Sequence, residues 1–370
     1  MGRDHLVTLR RIAATLALVS ALVGCQGEGL PPLRTDPLPT ASAAVASPSP
    51  GPTASDVHIL QAVTIERDIG YVGAVAVSPK WIAWTGLRRG DPKVVPNDLV
   101  LYDRTTGQSR VIARAREPAG IMAWLRINDE WAVWAEYTDR LQISDWQVLA
   151  ARLPDGPVTA LLGAPADARL EDRPEFAVSG SRVALTGRFE GEHPALAVID
   201  LRTRQLTVLA RAAAQEAFGW PSFDSDLVVF ERRQRGVGLS AVRVDGADQA
   251  VPASRPASEP VLSGGWLAYK RSERFQSGPI EMVELSSGRR VLPTGLDGED
   301  PRGAGGLFAW QTPRGDALFA YRATSSSAYR YQLTDATPAG LDADSSTIAL
   351  IAKDLNAASS YSILLVEVPR

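Results

Sequence analysis

The chain has one cysteine and three histidines in 370 residues, and asparagine occurs only at positions 97, 128 and 356. A single thiol excludes an intramolecular disulfide and a cysteine-rich metal site. So few imidazoles leave little material for a nucleophile–base pair, and so few amide oxygens remove the neutral ligands that calcium sites use. A dominant charge is also missing: 39 basic against 42 acidic side chains give a net charge of −3, which is no footprint of a nucleic-acid binder. No apolar run reaches the ~20 residues needed to span a bilayer as a helix. No segment sustains a helical period over a dozen residues. What is present is 45% hydrophobic and 22% charged, enough to exclude wholesale disorder and to bury one large core or two smaller ones.

The N-terminus reads as an address. Arg3, Arg10 and Arg11 outweigh Asp4 and precede an apolar run from Ile12 to Val23, the layout of a signal peptide. The run ends in Leu22-Val23-Gly24-Cys25, which resembles the lipobox of bacterial lipoproteins, and the chain's single cysteine stands at the acceptor position. The resemblance implies a diacylglyceryl thioether on Cys25, cleavage before it and acylation of the new amino group. Several acyl chains anchor stably, at ~0.8 kcal/mol per buried methylene. The mature chain would carry 36 basic and 41 acidic residues, having lost three arginines and one aspartate. Residues 26–56 contain seven prolines and no aromatic residue, the composition of a semi-extended tether. The domain plan is therefore signal peptide 1–24, acylated cysteine and linker 25–56, and a folded region 57–370.

The folded region repeats. A run of the form x-x-small-large occurs seven times, as WIAW 81–84, WAVW 131–134, RVAL 182–185, LVVF 227–230, WLAY 266–269, LFAW 307–310 and TIAL 347–350. Its period, about 44 residues on average, is that of a propeller blade. A Gly, Ser, Asp or Asn turn precedes each run, and a second apolar strand such as DLVLYD 98–103 or ALAVIDL 195–201 follows it. The pattern predicts an all-β, seven-bladed propeller of four-stranded antiparallel blades, with six blades as the alternative. Residues 57–67 are expected to form the outer strand of the last blade and close the ring. Pro118, Pro174, Pro221, Pro260, Pro301 and Pro338 stand where innermost strands should begin, an edge position that tolerates proline.

The stretches AVSPKWIAW 76–84, NDLVLYDRTTGQSRVIA 97–113 and ALAVIDLRTRQLTVLA 195–210 resemble the TolB-type propeller repeats of bacterial envelope proteins. The Asp-Gly of the family's turn is replaced by Lys80-Trp81, and no counterpart of the α/β domain of TolB is present. The resemblance implies fold and compartment, and carries over no partner.

Candidate chemistry is sparse. His193 lies in a loop after Glu190 and Glu192, and no Gly-x-Ser-x-Gly elbow occurs. Arg89-Gly90-Asp91 and Arg314-Gly315-Asp316 read as turn chemistry. Glu117, Asp172, Glu259 and Asp300 lie close to the inner-strand prolines and are candidates for carboxylates at a channel mouth, the constellation of a carbohydrate-active hydrolase. A basic excess gathers in two neighbouring hairpins as Arg232, Arg233, Arg235, Lys270, Arg271 and Arg274, beside Phe275 and opposed by Glu231 and Glu273. Glu136, Asp139, Asp145, Glu190 and Glu192 make the rim of repeats two and three acidic. Such a polarised rim suits an oriented partner, and its hairpin tips should be replaceable without disturbing the sheets. The expected function is a membrane-anchored envelope lipoprotein facing the periplasm or cell exterior, its propeller a non-catalytic scaffold for a protein or envelope polymer. The alternatives are an envelope carbohydrate hydrolase and a solute-binding sensor. No cofactor, metal or nucleic-acid partner is expected.

Overall fold

The computed structural model describes residues 49–53, 57–88, 95–117, 120–138, 143–168, 173–189, 193–234, 236–253, 255–273, 276–294, 296–357 and 360–369. The signal segment, Cys25, most of the tether, Arg89-Gly90-Asp91, Pro118, Asp139, Asp172, Glu190, Glu192, Arg235, Arg274 and Phe275 lie outside them. Among the described residues every regular element is a strand.

The x-x-small-large runs form the second strand of each repeat, and strand alternation explains their composition. The small third residue faces the following repeat, while the second and fourth residues face the preceding one. Ala83 packs toward repeat two and Trp84 toward repeat seven. Val133 packs toward repeat three, and Trp134 toward repeat one. The same division holds for Ala184 and Leu185, Val229 and Phe230, Ala268 and Tyr269, and Ala309 and Trp310. Ala349 likewise faces repeat one and Leu350 repeat six. A large side chain from one sheet therefore fills the space left by a small one on the next. The core is a series of layers between consecutive repeats rather than one central mass.

Repeats two, three and four each form a separate four-stranded antiparallel sheet in chain order, beginning at Ile121–Ile127, Glu175–Ser179 and Ala217–Asp224. Repeats five and six, beginning at Ser258–Ser263 and Glu299–Ala304, do the same. Each of these two gains a parallel fifth strand on its outer edge: Ser49–Thr53 lies on Arg290–Thr294, and His58–Ile59 on Ser327–Gln332. The remaining sheet has seven strands because Ala62–Val77 is continuous through two repeats. Residues 62–69 pair with Tyr361–Glu367, the last strand of repeat seven, and residues 69–77 pair with Trp81–Arg88 of repeat one.

Three expectations need correction. Five four-stranded blades stand as separate sheets, not seven or six, because one uninterrupted strand fuses the first and last repeats. The linker does not run free to residue 56, since Ser49–Thr53 already lies on the propeller edge. The outer strand of repeat seven starts at Ala62 rather than Val57, and the residues just before it serve repeat six. Unpaired outer-edge N–H and C=O groups provide the template that captures this chain.

The turns before each second strand also join neighbouring repeats. Gly264-Gly265 and Gly305-Gly306 have φ of 57° and 80° in both pairs, the left-handed pattern of a tight hairpin that glycine adopts without steric cost. Ser263 Oγ accepts from Gly306 N at 2.7 Å, Asp224 Oδ2 from Gly264 N at 3.1 Å, and Ser179 Oγ from Ser225 N at 3.0 Å. Asp129 Oδ1 accepts from Lys80 N at 3.0 Å. Between repeats seven and one, Arg104 takes over: its Nη1 donates to Asp344 Oδ2 at 2.5 Å and to Ser78 O at 2.8 Å, and its Nη2 to Thr347 Oγ1 at 2.7 Å. Arg104→Ala leaves the buried Asp344 carboxylate without its cation. The expected loss is roughly 1.5–3 kcal/mol, the scale of a hydrogen bond to a charged group. Urea denaturation reads it, and an unchanged midpoint would remove Arg104 from ring closure.

Candidate functional site

The first strands of the repeats surround the axis, and six of the seven are bulged. Register breaks fall between Val72 and Ala74, Ala123 and Arg126, Gly219 and Ser222, Ser258 and Val261, Glu299 and Arg302, and Pro338 and Gly340. Pro221, Pro260 and Pro301 lie inside these bulges and Pro338 at the edge of one, while Pro174 directly precedes its strand. The prolines thus mark the deviation in the inner strand more often than its beginning, because a bulge leaves an unpaired position that needs no N–H donor. Trp124, Trp220, Glu259 and Asp300 have positive φ at these bulges, of 50°, 25°, 53° and 54°. Bulky residues rarely adopt that region, and such outliers concentrate where a side chain is re-aimed for function.

Carboxylates from adjoining strands hold several bulges. Glu175 Oε2 accepts from Trp220 N at 2.5 Å, Glu231 Oε1 from Glu259 N at 2.8 Å, and Glu259 Oε2 from Asp300 N at 3.1 Å. The bulged backbone groups are thereby satisfied, as buried N–H donors must be.

At this level an axial cavity of about 200 Å³ opens, lined in part by Trp124, Arg126, Arg173, Trp220, Asp300 and Arg302. Gly73 belongs to the wall, where a Cβ would come within 2.9 Å of both Pro96 Cγ and Thr85 Oγ1. The guanidinium of Arg173 lies over the Trp124 ring at 5.6 Å, and that of Arg302 over Trp220 at 5.1 Å. Arg302 Nη2 is 2.6 Å from Asp300 Oδ1 and its Nη1 donates to Pro301 O at 3.0 Å, whereas its buried Nε has no partner. Arg126 Nη1 donates to Leu125 O at 2.9 Å. Burial, with the like charge of Arg302 second, lowers the Arg126 pKa to about 10. Asp342 accepts from Val77 N at 3.0 Å, and burial pushes its carboxyl up despite the opposing pull of Arg126.

The expected carboxylate ring is only partly assembled. Asp300 lines the cavity but is paired with Arg302. Glu259 is next to it through a backbone contact, yet its side chain is 8% exposed and its Oε1 lies 2.6 Å from Lys270 Nζ. Glu117 is exposed and outside the cavity wall. Carboxylates already held by cations and N–H groups are poor material for a general acid, which must keep a proton near neutral pH. His193 is exposed. Among the described residues no group of three or more His, Cys, Asp or Glu side chains could hold a metal ion.

The basic rim also needs correction. Lys270 is 1% exposed and belongs to the buried pair with Glu259. Arg232 Nε binds Glu216 Oε1 at 2.6 Å, Arg233 Nη2 binds Glu231 Oε2 at 2.6 Å, and Arg271 Nε lies 3.3 Å from Glu281 Oε2. All three carboxylates are buried. The three arginines keep 42%, 31% and 38% of their side chains exposed while each binds a buried carboxylate, so replacing them would strand those carboxylates. Sixteen residues separate Arg232 from Glu216 and ten separate Arg271 from Glu281, which hid those two pairings. The residues that sequence reading missed are Trp124, Arg126, Arg173, Trp220 and Arg302. A signal existed: Arg173 and Trp220 immediately precede two of the inner-strand prolines, and Arg302 follows a third.

No family model and no curated protein matches this sequence. Solved structures do. The fold is a β-propeller. The β-propeller domain of the trilobed protease from Pyrococcus furiosus is similar with a TM-score of 0.59 and 10% identity, over 81% of this chain and 96% of that one. Oligogalacturonate lyase from Vibrio parahaemolyticus is similar with a TM-score of 0.55 and 10% identity, over 84% and 94%. TolB from Acinetobacter baumannii is similar at 12% identity over 74% and 60%, but its TM-score of 0.40 is too low to carry an argument. At these identities the likeness concerns the fold alone.

Proposed function

We propose that this chain is a cell-envelope lipoprotein, anchored through Cys25, whose propeller is a TolB-type binding module without chemistry of its own. On this reading the protein faces the periplasm or cell exterior. The observation that carries the non-catalytic reading is the engagement of the described candidate carboxylates. Asp300 is held by Arg302, and Glu259 by Lys270 and the Asp300 N–H. That arrangement disfavours the carbohydrate hydrolase. The lipobox-like Leu22–Cys25 and the proline-rich segment after it support the anchor. The partner is a protein or envelope polymer presented to one face of the propeller.

Cys25→Ala is expected to abolish membrane retention, because a dozen-residue apolar run cannot hold the chain alone. Fractionation after a high-salt wash reads this, and a Cys25→Ala chain still found with membranes would overturn the anchor. A pull-down from solubilised membranes with the anchored chain tests the module: consistent recovery of one partner supports it, while hydrolysis of an envelope glycan by the purified chain overturns it.

A further inference from the structure

Among the described residues, more guanidinium groups than carboxylates reach the wall of the axial cavity. Arg126, Arg173 and Arg302 reach its wall, against Glu175 and Asp300. Of the three arginines only Arg302 has a carboxylate within ion-pair distance among the described residues. Arg173 rests on Trp124, and Arg126 contacts a single carbonyl. Behind the wall the buried Asp342 carboxyl lies close enough to Arg126 and Arg302 to feel both charges, although burial pushes its pKa up. Unmet donors of this kind in a confined space are costly, and an anion supplies what they lack.

The remaining walls narrow the choice of anion. Trp124 and Trp220 present indole surface stiffened by the stacked guanidinium groups, which suits a flat or ring-shaped body. The volume of about 200 Å³ lies below the ~300–1,000 Å³ of pockets for drug-sized ligands. A polymer chain therefore does not fit inside. On the described wall three guanidinium groups face two carboxylates and Asp342 behind it offsets part of the difference, so at most one anionic charge is called for and a phosphate dianion is disfavoured. A guanidinium matches a carboxylate in a two-point contact.

We infer that the axial cavity is a binding site for a small ring-bearing monocarboxylate, held by the guanidinium groups of Arg126 and Arg173 between Trp124 and Trp220. This rests on the reading of the propeller as a binding module.

The test is calorimetric titration of the purified full chain in detergent with benzoate and with glucuronate, each paired with its uncharged counterpart, benzamide or glucose. At least one acid is expected to bind in the millimolar range or tighter, and about tenfold or more above its neutral partner, the worth of a charge-assisted hydrogen bond. Arg126→Gln and Arg173→Gln should each weaken that acid by about tenfold or more. Neither residue has a carboxylate within ion-pair distance among the described residues, and Arg173→Gln keeps the test available if Arg126→Gln, near the buried Asp342, fails to fold. Absence of binding by both acids up to about 10 mM overturns the site. Equal binding of acid and neutral partner, or unchanged affinity in a folded variant, does so as well. Recovery of the bound acid separates this inference from the reading beneath it. An acid returned unchanged supports both, while an acid bound and chemically altered keeps the site and sinks the non-catalytic module.

Discussion

A chain that begins at Gly70 is expected to lose roughly 3–6 kcal/mol of stability and to aggregate, compared with one that begins at Val57. The deletion removes the half-strand 62–69 that pairs with Tyr361–Glu367, the last strand of repeat seven. It also removes Leu60 and Ile69, both buried, each worth ~1.5–3 kcal/mol when fully desolvated. Ile69 packs with Ala349, Ile351 and Ile363 in the layer between repeats seven and one, while Leu60 packs with Leu318 and Val366 at the edge of repeat six. The loss therefore falls on two neighbouring layers. It also exposes Tyr361–Glu367 as an unpaired edge, a template for another chain. Because a domain of this kind is stable by only ~5–15 kcal/mol, the deletion consumes a large part of the margin. Urea denaturation followed by tryptophan fluorescence measures the first effect and light scattering the second. Equal midpoints for the two chains would show that the shared strand does not hold the ring.

The same strand shows what the sequence made legible. The alternation of small and large residues at Ala83-Trp84, Val133-Trp134 and Ala309-Trp310 could be read as strands, because period-two burial leaves a direct mark in composition. The Gly and Ser turns were equally plain. That residues 62–77 run unbroken through two repeats was not, since both halves read as ordinary apolar strands and the pairing partners of the first half lie almost three hundred residues away. The parallel addition of Ser49–Thr53 was hidden for a different reason. A Pro- and Ser-rich segment has no side-chain pattern that announces pairing, and the attraction comes from backbone groups on the outer edge of repeat five.

The candidate site was less legible than the fold. Arginine in a hairpin reads as solvated charge unless its partner is known, and Arg232 and Arg271 find theirs on or beside the neighbouring strand of the same repeat once the strands pair. Arg126 and Arg302 sit in strands, where a two-residue alternation assigns them a face. A bulge then turns that face toward the axis, and bulges have no sequence signature beyond the prolines inside three of them. The prolines were visible; the residues beside them, which line the cavity, needed the structure.

The buried pair of Lys270 and Glu259 offers the sharpest test of how the inner ring is held. Lys270 Nζ and Glu259 Oε1 are 2.6 Å apart, with side-chain exposures of 1% and 8%. Glu259 does a second job, since its Oε2 accepts from the bulged Asp300 N at 3.1 Å. Lys270→Met keeps the apolar stem and removes the charge, leaving a carboxylate in a dry site with only an N–H partner. Stranding one member of a buried pair typically costs ~3–5 kcal/mol, about the loss expected here. Glu259→Gln, which strands the ammonium instead, should cost a similar amount. The double variant Lys270→Met/Glu259→Gln has no buried charge, and the amide oxygen of the substituted side chain can still accept from Asp300 N. It should be more stable than either single variant and fall within about 1–2 kcal/mol of the parent, since replacing both partners of a buried pair is often close to neutral. A double-mutant cycle from denaturation midpoints isolates the coupling. Additive losses, with the double variant the least stable of the three, would mean that each side chain acts through separate contacts. The pair would then not be the element that fixes the bulge at Asp300 and, with it, the position of Arg302 on the cavity wall.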